Sequence, residues 1–113
     1  MISFKILIFG HDKAILEIVE HSLQSENFIT ETSRWENVAE QIERFKPDLL
    51  ILDFQSLDSC RQIKENSTIA RVPFILISYS NELEYYAKIS EAAAYVSKPL
   101  DVPDFIKTVK DIL

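Results

Sequence analysis

The segments PDLLILD, residues 47–53, and PFILIS, residues 73–78, decide the fold. Each begins with proline, continues through a short apolar run with almost no polar alternation, and ends on a polar residue, Asp53 or Ser78. Strands of this composition are buried on both faces, as in a parallel sheet covered by helices on each side. The two segments therefore predict the centre of a doubly wound α/β sheet.

Outward from these segments, FKILIF at residues 4–9 is a third apolar run, and weaker runs lie at 28–32 and 94–97. Between the runs the apolar spacing becomes helical. The apolar faces comprise Ile15, Ile18, Val19 and Leu23; Trp35, Val38, Ile42 and Phe45; and, in the last helix, Phe105, Ile106, Val109 and Leu113. Less periodic helices are predicted near residues 57–65 and 82–90. The chain thus predicts five parallel strands alternating with five helices in the order 2-1-3-4-5, as one domain over residues 1–113.

Two helix starts carry capping signals. Ser33, followed three residues later by Glu36, matches a capping box ahead of the second helix. Asp101 precedes Val102 and Pro103 and places a negative group at the start of the last helix.

The composition excludes several function classes. A net charge of −6 opposes binding to nucleic acid, whose phosphates are neutralised by Lys and Arg. No apolar run approaches the roughly 20 residues of a membrane span, and the N-terminus lacks the pattern of a secretory signal, so we expect a cytoplasmic protein. The single cysteine, Cys60, cannot form an internal disulfide.

Polar residues follow the predicted strands where a doubly wound sheet binds its ligands, outside the carboxyl ends. Asp53 and Ser78 end the third and fourth strands, and Lys98 with Pro99 follows the fifth. One carboxylate, one hydroxyl and one ammonium are therefore expected to converge at this edge of the sheet.

The segments KILIF, PDLLILD, PFILIS and AYVSKP are similar in type, order and spacing to those of response-regulator receiver domains of two-component signalling. The resemblance covers essentially the whole chain and implies the flavodoxin-like receiver topology. It implies Asp53 as the phosphoacceptor and Ser78 and Lys98 as the residues that contact the phosphoryl group. It also implies that Tyr95 is the aromatic that moves inward on phosphorylation, although an ordinary strand tyrosine packed on its neighbours explains Tyr95 equally well.

The family usually has two adjacent acids after the first strand that hold Mg²⁺, and this chain has Gly10 and His11 there. Neither replaces carboxylate oxygens, so we expect no cofactor and weak or absent Mg²⁺ binding, with Asp12 and Asp53 as weak candidate ligands. Asp12 is better interpreted as the N-cap of the first helix. Gly10 is interpreted as easing the turn, and His11 as an ordinary loop histidine or a pH-dependent charge beside Asp53.

The resemblance implies a signalling module, not an enzyme. It would accept a phosphoryl group on Asp53 from a histidine kinase or phosphotransfer protein. A homodimer or an effector would bind the fourth helix, fifth strand and fifth helix, where Tyr85, Tyr86 and Tyr95 provide aromatic surface. Tyr79 stands where many receivers carry a small residue, and its bulk predicts a narrow entry to Asp53.

Two other function classes are weighed. In a pseudo-receiver the fold is kept as a protein-interaction module while phosphorylation is slow or absent, which the missing acids favour. A flavin or nucleotide binder of similar topology is disfavoured, because GHDKA after the first strand has one glycine where a phosphate-binding loop has several.

Overall fold

The computed structural model describes residues 3–10, 12–53, 61–63, 65–79 and 81–113. The strands are β1 Lys5–Gly10, β2 Ile29–Ser33, β3 Leu49–Asp53, β4 Phe74–Ser78 and β5 Ala94–Ser97. The helices are α1 Lys13–Ser25, α2 Val38–Phe45, α3 Ser67–Ala70, α4 Leu83–Ser90 and α5 Val102–Ile112, and a 3-10 turn, Trp35–Asn37, precedes α2. His11, Cys60 and most of the helix predicted near 57–65 lie outside the described residues, although 61–63 and 65 are helical.

The five strands form one parallel sheet in the order β2-β1-β3-β4-β5, which confirms the predicted topology. The register sets Gly10 at the end of β1 opposite Asp53 at the end of β3. It also sets Ser78 opposite Ser97, the residue before Lys98. The polar strand ends therefore meet at one edge of the sheet.

The sheet is covered on both faces, as the unbroken apolar runs predict. Every residue of β3 and β4 is buried. Alternate strand residues pack into two clusters, one with the apolar faces of α1 and α5 and the other with those of α2, α3 and α4. Each fully buried leucine or isoleucine contributes about 1.5–3 kcal/mol relative to an exposed one, and this term holds the helices on the sheet.

The predicted apolar face of α1 is wrong at Ile18, whose exposed fraction is 45%. The buried residues of α1 are Ile15, Val19 and Leu23. Successive residues turn by about 100°, so Ile18 lies on the flank of the helix away from Leu23. The buried face of α1 is therefore narrower than the spacing of its apolar residues in the sequence predicts.

The capping box predicted at Ser33 is also wrong. Ser33 is the last residue of β2, paired with Phe9, and its hydroxyl donates to the carbonyl of Arg34 at 3.1 Å. Pairing in the sheet keeps Ser33 out of the N-cap position, and α2 begins through the 3-10 turn without a side-chain cap. At α5 the prediction is confirmed, because Asp101 accepts a hydrogen bond from the backbone N–H of Asp104 at 3.1 Å. Among the described residues, no helix combines the length and apolar content needed to cross a bilayer.

Candidate functional site

Asp53 presents a buried carboxylate at the carboxyl end of β3. Its side chain is 2% exposed, and its Oδ1 lies 2.5 Å from the Nζ of Lys98. Its Oδ2 accepts a hydrogen bond from the backbone N–H of Asp12 at 3.2 Å. Both oxygens of Asp53 therefore face positive or hydrogen-bond-donating groups, which is the environment that an ionised carboxylate needs when it is buried.

Lys98 enters the site from the end of β5, and its side chain is completely buried. Its backbone N–H donates to the carbonyl of Ser78 at 3.0 Å, and the Lys98–Pro99 peptide bond is cis. Within the described part of the chain, neither Lys98 Nζ nor Asp53 Oδ1 makes a well-aligned hydrogen bond, so their contact is an ion pair held by charge. Such a pair is costly to break, since removal of one partner leaves the other charge buried.

Asp12 has two roles in the structure. Its Oδ1 accepts hydrogen bonds from the backbone N–H groups of Ala14 at 3.1 Å and Ile15 at 3.3 Å, which confirms the predicted N-cap of α1. Its Oδ2 lies 3.7 Å from the Nζ of Lys98. Asp12 is thus a second, weaker anionic partner of the buried lysine.

Gly10 is required by close packing of two strands and does not serve to ease a turn. No described glycine has a positive φ, so the predicted role at a turn is wrong. A Cβ at position 10 would lie 2.5 Å from the Cβ and 2.7 Å from the carbonyl oxygen of Asp53. The space that a side chain would need at position 10 is occupied by the main chain and Cβ of Asp53.

Ser78 ends β4 and is 1% exposed. Its carbonyl accepts a hydrogen bond from the backbone N–H of Lys98, so Ser78 lies at the carboxyl edge of the sheet, where ligands of doubly wound sheets bind. The structure therefore brings Asp53 and Lys98 into contact and places Ser78 at the same edge of the sheet. His11 cannot be placed, because it lies outside the described residues.

Tyr79 contributes a contact that the sequence analysis did not find. Its ring centroid lies 4.8 Å from the Nζ of Lys98, within the range of a cation–π interaction, while 61% of the residue is exposed. The sequence indicated only bulk near Asp53. The sequence could not indicate this contact, because Tyr79 and Lys98 come together only when β4 and β5 pair.

The aromatic surface near α4 and β5 differs from the prediction. Tyr85 and Tyr95 are 57% and 45% exposed, but Tyr86 is only 8% exposed, so its predicted place on this surface is wrong. Tyr86 packs in the core, and its hydroxyl donates to the Oε2 of Glu82 at 3.0 Å. Tyr95 borders a hollow of about 300 Å³ between β5 and α4.

Comparison with known proteins agrees with this geometry, although no family model matches the sequence. The polar-differentiation response regulator DivK of Brucella anthropi is 29% identical over 93 residues, which cover 74% of this chain and 76% of that protein. DivK of Brucella ovis is 30% identical over 74 residues, covering 59% of this chain and 60% of that protein.

Solved structures share the whole fold. Chemotaxis protein CheY4 of Vibrio cholerae superposes with a TM-score of 0.82 at 19% identity, covering 99% of this chain and 100% of that chain. A response-regulator receiver-modulated diguanylate cyclase of Pelobacter carbinolicus has a TM-score of 0.76 at 28% identity. The match covers 96% of this chain and 91% of that chain.

The five-stranded parallel sheet, with a buried aspartate and lysine at its carboxyl edge, has the CheY-like, flavodoxin-like fold. The chain is therefore similar in sequence to the response regulator DivK and in structure to response-regulator receiver domains.

Receiver domains typically bind Mg²⁺, and the described side chains do not fit that ion. The described residues contain no group of three or more His, Cys, Asp or Glu that could hold a metal. Asp12 Oδ1 accepts two backbone N–H groups, and both Asp53 oxygens face donors or the ammonium of Lys98. Mg²⁺ requires near-octahedral oxygen ligands, and the ammonium is the nearest cation to both carboxylates.

Proposed function

We propose that Asp53 accepts a phosphoryl group from a phosphohistidine of a histidine kinase or phosphotransfer protein. The observation that carries this proposal is the buried carboxylate of Asp53, held 2.5 Å from the completely buried ammonium of Lys98. The proposal treats residues 1–113 as one cytoplasmic receiver domain that carries a signal and catalyses no reaction of its own.

In the proposed transfer, a carboxylate oxygen of Asp53 attacks the phosphorus of the phosphohistidine. The new O–P bond makes an acyl phosphate while the P–N bond breaks, and the imidazole keeps that electron pair and takes up a proton. Phosphoryl transfer depends mainly on positioning and on charge stabilisation. Lys98 supplies a fixed positive charge beside the attacking carboxylate, and the Asp12 N–H supplies a dipole at Oδ2.

The proposal extends to the output. The hydroxyl of Ser78 would donate to a phosphoryl oxygen, and Tyr95 would then leave its half-exposed position and turn inward. Tyr95 pairs with Leu76 of β4 and borders the hollow beside α4, so this movement would change the face of α4, β5 and α5. A homodimer or an effector would detect the changed face.

The test is intact-mass spectrometry after incubation with a small phosphodonor such as acetyl phosphate. The native protein should gain one phosphoryl group, and Asp53→Asn should abolish the gain. Asp48→Asn is the matched control, because Asp48 accepts the backbone N–H of Lys5 at 2.8 Å and takes no part in the proposed transfer. A native protein that stays unlabelled, or a label that survives in Asp53→Asn, contradicts the proposal.

One observation favours the pseudo-receiver as a second candidate. Gly10 leaves no room for an acidic side chain, and Asp53 already faces Lys98 and the Asp12 N–H. A pseudo-receiver would remain unlabelled in the same experiment. Its partner binding would also be unchanged by Asp53→Asn.

A further inference from the structure

The strand β2 lies at one edge of the sheet, where its outer side could pair with a further strand. Among the described residues β2 pairs with β1 alone. Ile29 donates its backbone N–H to the carbonyl of Phe4 at 3.0 Å, so its peptide groups point toward β1. Successive residues of a strand direct these groups to opposite edges, so those of Thr30 and Thr32 point outward. Outward N–H and C=O groups are a template for pairing with another chain.

Two glutamine side chains, from helices on opposite faces of the sheet, reach this strand. Gln41 of α2 donates through its Nε2 to the carbonyl of Thr32 at 3.1 Å and to the Oε1 of Glu31 at 2.8 Å. Gln24 of α1 donates to the Oγ1 of Thr30 at 2.9 Å. Gln41 therefore bonds an outward carbonyl that a pairing strand would need, whereas Gln24 bonds a side chain.

The sequence of β2 fits pairing with a second copy of itself, except at its centre. Thr30, Glu31 and Thr32 read the same in both directions. An antiparallel copy centred on Glu31 would set Thr30 opposite Thr32, with their outward peptide groups bonded to each other. The same register sets the two Glu31 side chains directly opposite each other, and like charges in such a pair are destabilising. Glu31 thus opposes the register that the threonines would allow.

We propose that Gln41 and Glu31 close the β2 edge against pairing with β2 of a second copy of this chain. Gln41 bonds the outward carbonyl of Thr32, and Glu31 places a negative charge at the centre of the paired register. The contact between Gln41 and Glu31 also restrains the carboxylate, so the two residues act together. This surface lies at the opposite edge of the sheet from β5. It does not depend on whether Asp53 accepts a phosphoryl group, so the two proposals succeed or fail separately.

The test replaces both residues and measures self-association by light scattering over a range of protein concentrations. Gln41→Ala releases the carbonyl of Thr32 for a pairing strand, and alanine suits a helix. Glu31→Thr removes the central charge and introduces a residue that strands favour. The double variant should associate roughly tenfold more tightly than the native protein, because it gains a hydrogen bond and loses a like-charge pair in one interface. Each single variant should show part of this gain.

Two controls identify the surface through which the double variant associates. Asn37→Ala removes an exposed amide at the start of α2 that lines the same hollow as Gln41, and self-association should stay at the native value. Thr32→Pro, added to the double variant, removes the outward N–H and keeps an extended backbone. This third substitution should return self-association to the native value, because the pairing strand loses a donor.

Two results overturn the inference. They are a double variant that associates no more tightly than the native protein, and association that persists after Thr32→Pro. If the chain with Thr32→Pro does not fold, hydrogen exchange of the Thr30 and Thr32 amides in the double variant decides instead. Exchange of these amides should slow as the protein concentration rises, because pairing protects them. Exchange that does not change with concentration also overturns the inference.

Discussion

Gly10→Ala tests the packing of β1 against β3 at the candidate functional site. A Cβ at position 10 would lie 2.5 Å from the Cβ, 2.7 Å from the carbonyl oxygen and 3.1 Å from the Cα of Asp53. Two of these atoms are main chain, so no rotation of a side chain relieves the contact, and β1 and β3 must separate locally.

The magnitude follows from two opposing terms. Inserting an atom into a packed interior costs about 1–3 kcal/mol. The loss of chain entropy in the unfolded state returns about 0.4–1 kcal/mol, because alanine is less flexible than glycine. The expected net loss of stability is about 1–2 kcal/mol, or a fall in Tm of very roughly 4–16 °C.

The assay is urea unfolding of the native protein and Gly10→Ala, with thermal unfolding alongside it. The midpoint should fall while the slope of the transition stays constant, because the surface exposed on unfolding changes little. Phosphorylation of Asp53 from a small donor should fall in the same variant, because the displaced strand moves Asp53 relative to Lys98. If Gly10→Ala is as stable as the native protein or more stable, the inferred close contact between position 10 and Asp53 is wrong.

Three further variants test Tyr79 and the aromatic residues of α4 and β5. Tyr79→Leu should cost no more than about 1 kcal/mol for the lost cation–π contact, and it should speed labelling of Asp53 by a small donor if the ring narrows the entry. Unchanged labelling in intact-mass measurements would mean that Tyr79 does not control entry. Tyr85→Ala with Tyr95→Ala should weaken self-association or effector binding without loss of Tm, since about half of each residue is exposed. Tyr86→Ala should instead lower the free energy of unfolding by about 3–5 kcal/mol, as for other buried aromatic residues. If the Tyr85/Tyr95 double variant and Tyr86→Ala change light scattering and Tm equally, the assignment of Tyr85 and Tyr95 to a binding surface is wrong.

Part of the candidate site could be predicted because its signals are local. An unbroken apolar run that ends in a polar residue identifies a buried strand and places that polar residue at the strand's carboxyl end. The carboxyl ends of parallel strands lie at the same edge of the sheet, so these polar residues lie close together. Asp53 and Ser78 were found in this way, and Lys98 followed from its place after β5. The caps at Asp12 and Asp101 were also predictable, because an N-cap depends on a few neighbouring residues.

The sequence by itself determined the five strands, their order and the residues at their carboxyl ends, because hydrophobic periodicity and chain connectivity leave few alternatives for a sheet buried on both faces. Only the tertiary structure decided that Gly10 meets the main chain of Asp53, that Tyr79 covers Lys98 and that Tyr86 is buried while Tyr85 is exposed. The physical reason is that the spacing of residues along a helix predicts the direction in which each side chain points. It does not predict how much of the helix surface the neighbouring elements cover. Contacts between strand ends depend on the register of residues far apart in the chain, which forms only when the strands pair.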